Sequence, residues 1–194
     1  MAAAVTRQCG SCTLCCKILA VQEIEKPPGR LCVHCKEGRG CRIYAERPHS
    51  CRSFNCYFLT NPKLREEWRP SKSRIVLVVS PDGLRIGAHI DPERPSAWRR
   101  EPFCTALKAW AKDALARRER IGQVIVSIGQ RTMVIFPDRN VDMGIVESDE
   151  VVVTEGRKCP EGTAYEVFKL RRDDPSAAAA LGKIEKGARN GPIF

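Results

Sequence analysis

Nine of the eleven cysteines in this 194-residue chain fall between Cys9 and Cys56, and that crowding limits what the first third can fold into. The order is Cys9-x2-Cys12-x2-Cys15-Cys16, then Cys32-x2-Cys35-x5-Cys41, then Cys51-x4-Cys56. The segment is poor in apolar runs, so it buries too little surface to hold itself together and needs a staple. Disulfides and metal are the two available. The first nine residues carry no apolar stretch of secretory-signal length, and no run approaches the ~18 apolar residues of a membrane span. The chain therefore reads as cytoplasmic, with no membrane association, in a compartment that keeps thiols reduced. The adjacent pair Cys15-Cys16 also bridges itself only with strain. Metal is the expected staple, because a tight turn between two cysteines brings both sulfurs to one ion at about 2.3 Å.

The formal charge of +10 suggests nucleic acid, but it counts every thiol as neutral. Two four-thiolate sites, each holding a divalent ion, would subtract roughly four units. Arg42, Arg47 and Arg52 are interleaved with the cysteines. They read as groups that offset thiolate charge and hydrogen-bond to the sulfurs rather than as phosphate contacts, since no aromatic stacking ladder accompanies them. His34 and His49 read as hydrogen-bond partners in loops rather than as ligands. Nucleic acid stays an alternative partner and not the favoured one.

Beyond Pro70 the texture changes. Ile75 to Val79 is a β-branched run, followed by Pro81-Asp82-Gly83 and a second apolar run to Ile90, which predicts a hairpin. From Pro102 to Arg120, Phe103, Leu107, Trp110, Ala111 and Ala114 recur at helical spacing opposite a basic face, which predicts one long amphipathic helix. Residues 123–128 and 131–136 predict a second hairpin, and 151–154 and 165–170 two further strands. Asn61 to Pro70 reads as a helical stretch that the proline ends. The expected fold is α+β: a loop-rich cysteine module over residues 1–70, packed on a small antiparallel sheet with one long helix over 71–172, then a weakly held tail over 173–194. The α+β part offers a surface for a protein partner.

The Cys-x2-Cys-x2-Cys run matches the way three thiolates take three corners of a 4Fe–4S cube, but no Cys-Pro follows at the fourth position. The same thiols taken in pairs have zinc-knuckle spacing, and eight of them make two tetrahedral sites with one to spare. Spacing does not separate zinc from iron–sulfur. The residues Cys9-Gly-Ser-Cys-Thr-Leu-Cys-Cys16, Cys32, Cys41-Arg-Ile-Tyr44, Arg47-Pro48-x2-Cys51 and Cys56 resemble the YkgJ-type cysteine-cluster family, described as a zinc- or iron-chelating domain. The resemblance covers the first third of the chain and implies ligand roles for Cys9, Cys12, Cys15, Cys16, Cys32, Cys41, Cys51 and Cys56. Cys35 is an addition to that pattern and a further candidate ligand. A related module occurs in flagellin lysine methylases, which implies a third reading: an iron–sulfur enzyme of methyl transfer.

Signatures of nucleotide binding, nucleophilic hydrolysis and zinc proteolysis are absent, so no catalytic residue is assigned. His89 and Asp91 read as a turn at a strand end, Cys104 as buried filler and Cys159-Pro160 as a turn. The expected function is a metal-binding protein with a structural or redox role.

Overall fold

The computed structural model describes residues 7–117 and 121–177. The cysteine-rich third contains only short elements: α1 (Leu14–Ile18), β1 (Cys35–Lys36), β2 (Gly40–Cys41), α2 (His49–Ser53), α3 (Tyr57–Thr60) and α4 (Pro70–Ser73). Single 3-10 turns lie between them at Gln22–Ile24, Tyr44–Glu46 and Glu66–Trp68. Helices of four or five residues do not persist alone, and none of these has a side-chain cap at its N-terminus. Tertiary contacts hold them. Pro70 does not end a helix, as its sequence position suggests. It opens α4, where its fixed φ suits a first turn and its missing N–H costs nothing.

β3 (Ile75–Val79) and β4 (Arg85–Ile90) form the first hairpin, turned at Gly83 with φ 68° and pinned where the Leu84 N–H donates to Asp82 Oδ1 at 3.0 Å. α5 (Phe103–Leu115) then crosses over to β5 (Gln123–Ile128), which hairpins into β6 (Arg131–Ile135). β7 (Asn140–Ile145) adds the far edge, and the strand order is β3-β4-β5-β6-β7. The fold class is α+β, but this sheet is mixed rather than antiparallel, because β4 and β5 run parallel. The reason is the connection: strands joined through a helix return in the same direction, whereas a short turn reverses them. β7 escapes sequence reading because it is polar and half-exposed.

β8 (Glu150–Cys159) and β9 (Gly162–Arg171) form a separate ribbon, longer than the two strands expected. Val152 packs with Val134 and Phe136 of the sheet, while Val151 and Val153 face away toward Ala177 and Phe168. The ribbon is tied to the sheet by Arg85 Nη2 to the Val152 carbonyl at 2.8 Å and Gln123 Nε2 to Thr154 Oγ1 at 2.6 Å. Most of the expected tail, 178–194, lies outside the described residues, as does the expected end of the long helix at 118–120.

One core joins both parts of the chain. Leu14, Ile18, Phe58, Leu59 and Trp68 pack with Ile75–Val78, with Leu107 and Ala111 of α5, and with Val124, Val126, Met133 and Ile135. All four residues from Ile75 to Val78 are buried, which is why β3 is a continuous apolar run and not an alternating one. No helix among the described residues is long and apolar enough to cross a membrane.

Just beyond β4, Asp91 is fully buried and far more than a turn residue. Its carboxylate takes Lys17 Nζ at 3.0 Å and Arg74 Nη1 at 3.5 Å, and it accepts the Glu93 N–H at 3.2 Å. Lys17 follows Cys16 on α1, so this ion cluster fastens the cysteine module to the sheet.

His89 lies one strand position before Ile90, and its Nε2 is shut off from solvent although the residue keeps some exposure. Burial pushes its pKa down to about 4, below the ~6.5 of an unfolded chain. The unfolded chain therefore takes up this proton first as pH falls. Stability from this group is whole above about pH 6.5 and declines toward pH 4, by about 3 kcal/mol in all. Urea midpoints measured from pH 7.5 to 5 for the protein and for His89→Gln should diverge in that direction. Parallel curves would rule the effect out.

Candidate metal centre

Two of the three Cys-x2-Cys steps, Cys9 to Cys12 and Cys32 to Cys35, close tight turns. The Cys12 N–H donates to the Cys9 carbonyl at 3.0 Å, and the Cys35 N–H to the Cys32 carbonyl at 2.9 Å. Gly10 sits in the first turn at φ 55°, a conformation that costs L side chains energy and glycine little. The second turn is tied to α1, since the Cys32 N–H donates to the Cys16 carbonyl at 3.0 Å. Gly38 N–H to Thr13 Oγ1 at 3.3 Å draws the β1–β2 hairpin against α1. Within that hairpin Cys35 stands opposite Cys41, so their side chains leave one face. Cys51 rides on α2, which is held by Glu23 accepting from Ser50 N–H at 2.8 Å and Ser50 Oγ at 2.7 Å. Cys56 is buried at the N-terminal end of α3.

The thiols act on one another. A hydrogen bond from Cys15 lowers Cys9 to about 7, against burial and the nearby Cys16. A hydrogen bond from Cys15 likewise lowers Cys16 to about 6, again against burial and with help from Cys35 and the charges of Lys26 and Arg47. Cys15 is pushed well up by giving those bonds to Cys16 and Cys9. Burial pushes Cys35 up to about 12 and Cys56 up to about 11, and it raises Cys51. The shifts thus run in opposite directions within the cluster, down at Cys9 and Cys16 and up at Cys15, Cys35, Cys51 and Cys56.

The cations that answer this charge are only partly those the sequence singles out. Arg47 stacks on Tyr44 at 3.7 Å, donates Nε to the Tyr44 carbonyl at 3.0 Å, and stabilises thiolate at Cys9 and Cys16. Arg42 and Arg52 are exposed. Arg42 gives its backbone N–H to the His34 carbonyl at 2.8 Å, and His49 is exposed on α2. Two cations missed by sequence reading take part. Arg69 lowers Cys9. Lys26, only 7% exposed, donates Nζ to the carbonyls of Lys17 at 3.1 Å, Pro27 at 3.0 Å and Leu19. Burial lowers its pKa while Cys32, Cys16, Cys15 and Cys51 pull it back. The only signal for Lys26 was an isolated cation ahead of Pro27-Pro28-Gly29.

Cys15 bridges Cys9 and Cys16, and the other influences fall to either side of that bridge. Cys56 feels Cys9 and Cys12, and Cys9 is bonded to Cys15. Cys35 and Cys51 each feel Cys16 and Cys32. Cys41 stands opposite Cys35 on the β1–β2 hairpin. Among the described residues no three of these side chains stand together in a position to clamp an ion, and the sulfur contacts are pairwise. Cys104 lies on α5, half-buried. Cys159 sits at the ribbon tip with Sγ 3.4 Å from the Gly162 carbonyl. No family model, curated protein or solved structure matches this chain.

Proposed function

We propose that the N-terminal third is a thiolate metal centre and that the protein binds zinc or an iron–sulfur cluster there, in a structural or redox role. The observation that carries this reading is the packing of two closed Cys-x2-Cys turns beside α1, the second bonded to the Cys16 carbonyl, with the charges of Lys26, Arg47 and Arg69 acting on Cys9 and Cys16. A soft donor set with built-in counter-charge suits a metal whose ligands must lose protons. Cys9, Cys12, Cys15 and Cys56 would hold one ion, and Cys16, Cys32, Cys35 and Cys51 a second. Cys41 is then the spare, although the YkgJ-type resemblance gives that position to Cys41 and not to Cys35. Zinc in a closed set of four thiolates supplies folding energy and no reactive position. The reducing cytoplasm is the compartment that fits such ligands.

A second reading rests on the Cys9-x2-Cys12-x2-Cys15 run, which suits an iron–sulfur cluster and one-electron chemistry. The deciding measurement is metal and acid-labile sulfide content, with a visible spectrum, on protein purified without oxygen. A colourless protein with about two zinc ions per chain is expected from two four-thiolate groups. Brown protein with iron and sulfide moves the assignment to a cluster. Protein that carries neither, and takes up neither on reconstitution, sinks the proposal.

A further inference from the structure

Away from the thiols, a cleft of about 380 Å³ opens where the cysteine module meets the sheet and α5. Clefts of this size hold small ligands when apolar walls carry a few convergent polar groups. Here the walls are aromatic. Tyr57, Trp68 and Trp110 line it, with the two indoles 5.0 Å apart and inclined by 34°. Trp68 is buried and anchored edge-on to Phe103 at 4.7 Å, whereas Trp110 is only partly covered. A half-exposed indole backed by a fixed one is a platform for stacking.

The rim is one-signed. Asn61, Lys63 and Arg65 line it, and no carboxylate does. Arg65 is committed to Glu67 through Nε at 2.8 Å. Asn61 spends its Oδ1 on the Lys63 N–H at 3.0 Å, which leaves the amide NH2 as a donor. Lys63 is exposed and makes no ion pair among the described residues. Arg7 fixes this loop from behind, donating to the Pro62 carbonyl at 3.1 Å and the Leu64 carbonyl at 2.6 Å. The cleft thus offers an aromatic wall, side-chain donors at its mouth, and in Lys63 a cation with no ion pair among the described residues.

From this we infer that the cleft is a binding site for a nucleoside monophosphate, the base stacked on Trp110 and the phosphate held by Lys63. Base stacking on an aromatic side chain contributes about 1–3 kcal/mol, and the fixed rim spares the ligand the cost of ordering it. The inference does not depend on which metal the thiols hold.

Tryptophan emission on the full-length, metal-loaded protein tests it, excited where nucleotides absorb little, because two of the three tryptophans line the cleft. Titration with AMP should quench saturably, with adenosine at least fivefold weaker and inorganic phosphate silent. Trp110→Ala should weaken AMP binding at least tenfold by calorimetry. Lys63→Ala, at an exposed position with no fold contact from its ammonium, should bring AMP down to the affinity of adenosine. A single-stranded oligoadenylate that displaces AMP would identify the ligand as one nucleotide of a strand, and failure to displace would identify it as free nucleotide. Absence of saturable quenching by AMP, or unchanged affinity in Lys63→Ala, overturns the assignment.

Discussion

Replacing Asp91 by alanine is expected to cost the fold about 3–5 kcal/mol, the range for breaking one side of a buried ion pair. The carboxylate side chain is 1% exposed and is shared by Lys17 and Arg74. Lys17 is itself 13% exposed, and its remaining partner, Glu93 at 2.7 Å, is largely in water. Burial alone would lower the Lys17 pKa, and the hydrogen bonds to Glu93 and Asp91 reverse that and hold it above its ordinary value. Without Asp91 the ammonium is left in a site built for a pair. Urea denaturation of Asp91→Ala measures the loss. The double variant Lys17→Met with Asp91→Leu should recover most of it, because a packed apolar pair carries no desolvation penalty. A loss under 1 kcal/mol in the single variant would show that the cluster does not fasten the two parts together.

Cys12→Ser and Cys51→Ser should each lose about one metal ion per chain and melt the N-terminal module, since a structural zinc site supplies on the order of 10 kcal/mol. In the proposed assignment they act on different groups: Cys12 with Cys9, Cys15 and Cys56, and Cys51 with Cys16, Cys32 and Cys35. Cys159→Ser, at the ribbon tip, should keep full metal content. Cys41→Ser separates the thiol grouping from the family pattern, because the grouping expects it to retain two ions. Metal-to-protein ratio and circular dichroism melting curves give the answer. Full occupancy in Cys12→Ser would mean that the ligand assignment is wrong.

Much of the architecture is legible in the sequence where burial is one-sided or complete. The stripe Phe103, Leu107, Ala111, Ala114 gives α5 its buried face, and Ile75 to Val79 cannot be exposed in any compact fold. The parallel pairing of β4 with β5 is less legible, because direction is decided by what the intervening chain becomes and not by the strands. The ribbon runs past Thr154 through Glu155, Gly156, Arg157 and Lys158, all exposed, so no alternation marks it as strand. At the site, spacing reveals the turns because a three-residue step fixes local geometry. It does not reveal Lys26 or Arg69, whose charges come to act on the thiols through folding, and it does not distinguish Arg47 from Arg42 and Arg52, which are exposed.

The position of β3 joins thiol chemistry to solubility. It is an outer strand of the five-stranded sheet, and the cysteine module packs over it, with α1, α3 and α4 all touching it. An uncovered, flat, apolar border strand recruits strands from other molecules, and Ile-Val-Leu-Val-Val has the composition that forms interdigitated stacks. The cysteine module is thereby a cap on a self-association hazard. Oxidation of its thiols, or chelation of the proposed metal, that loosens it would register first as turbidity in the test tube and as inclusion bodies in the cell, before any loss of partner or substrate could be noticed.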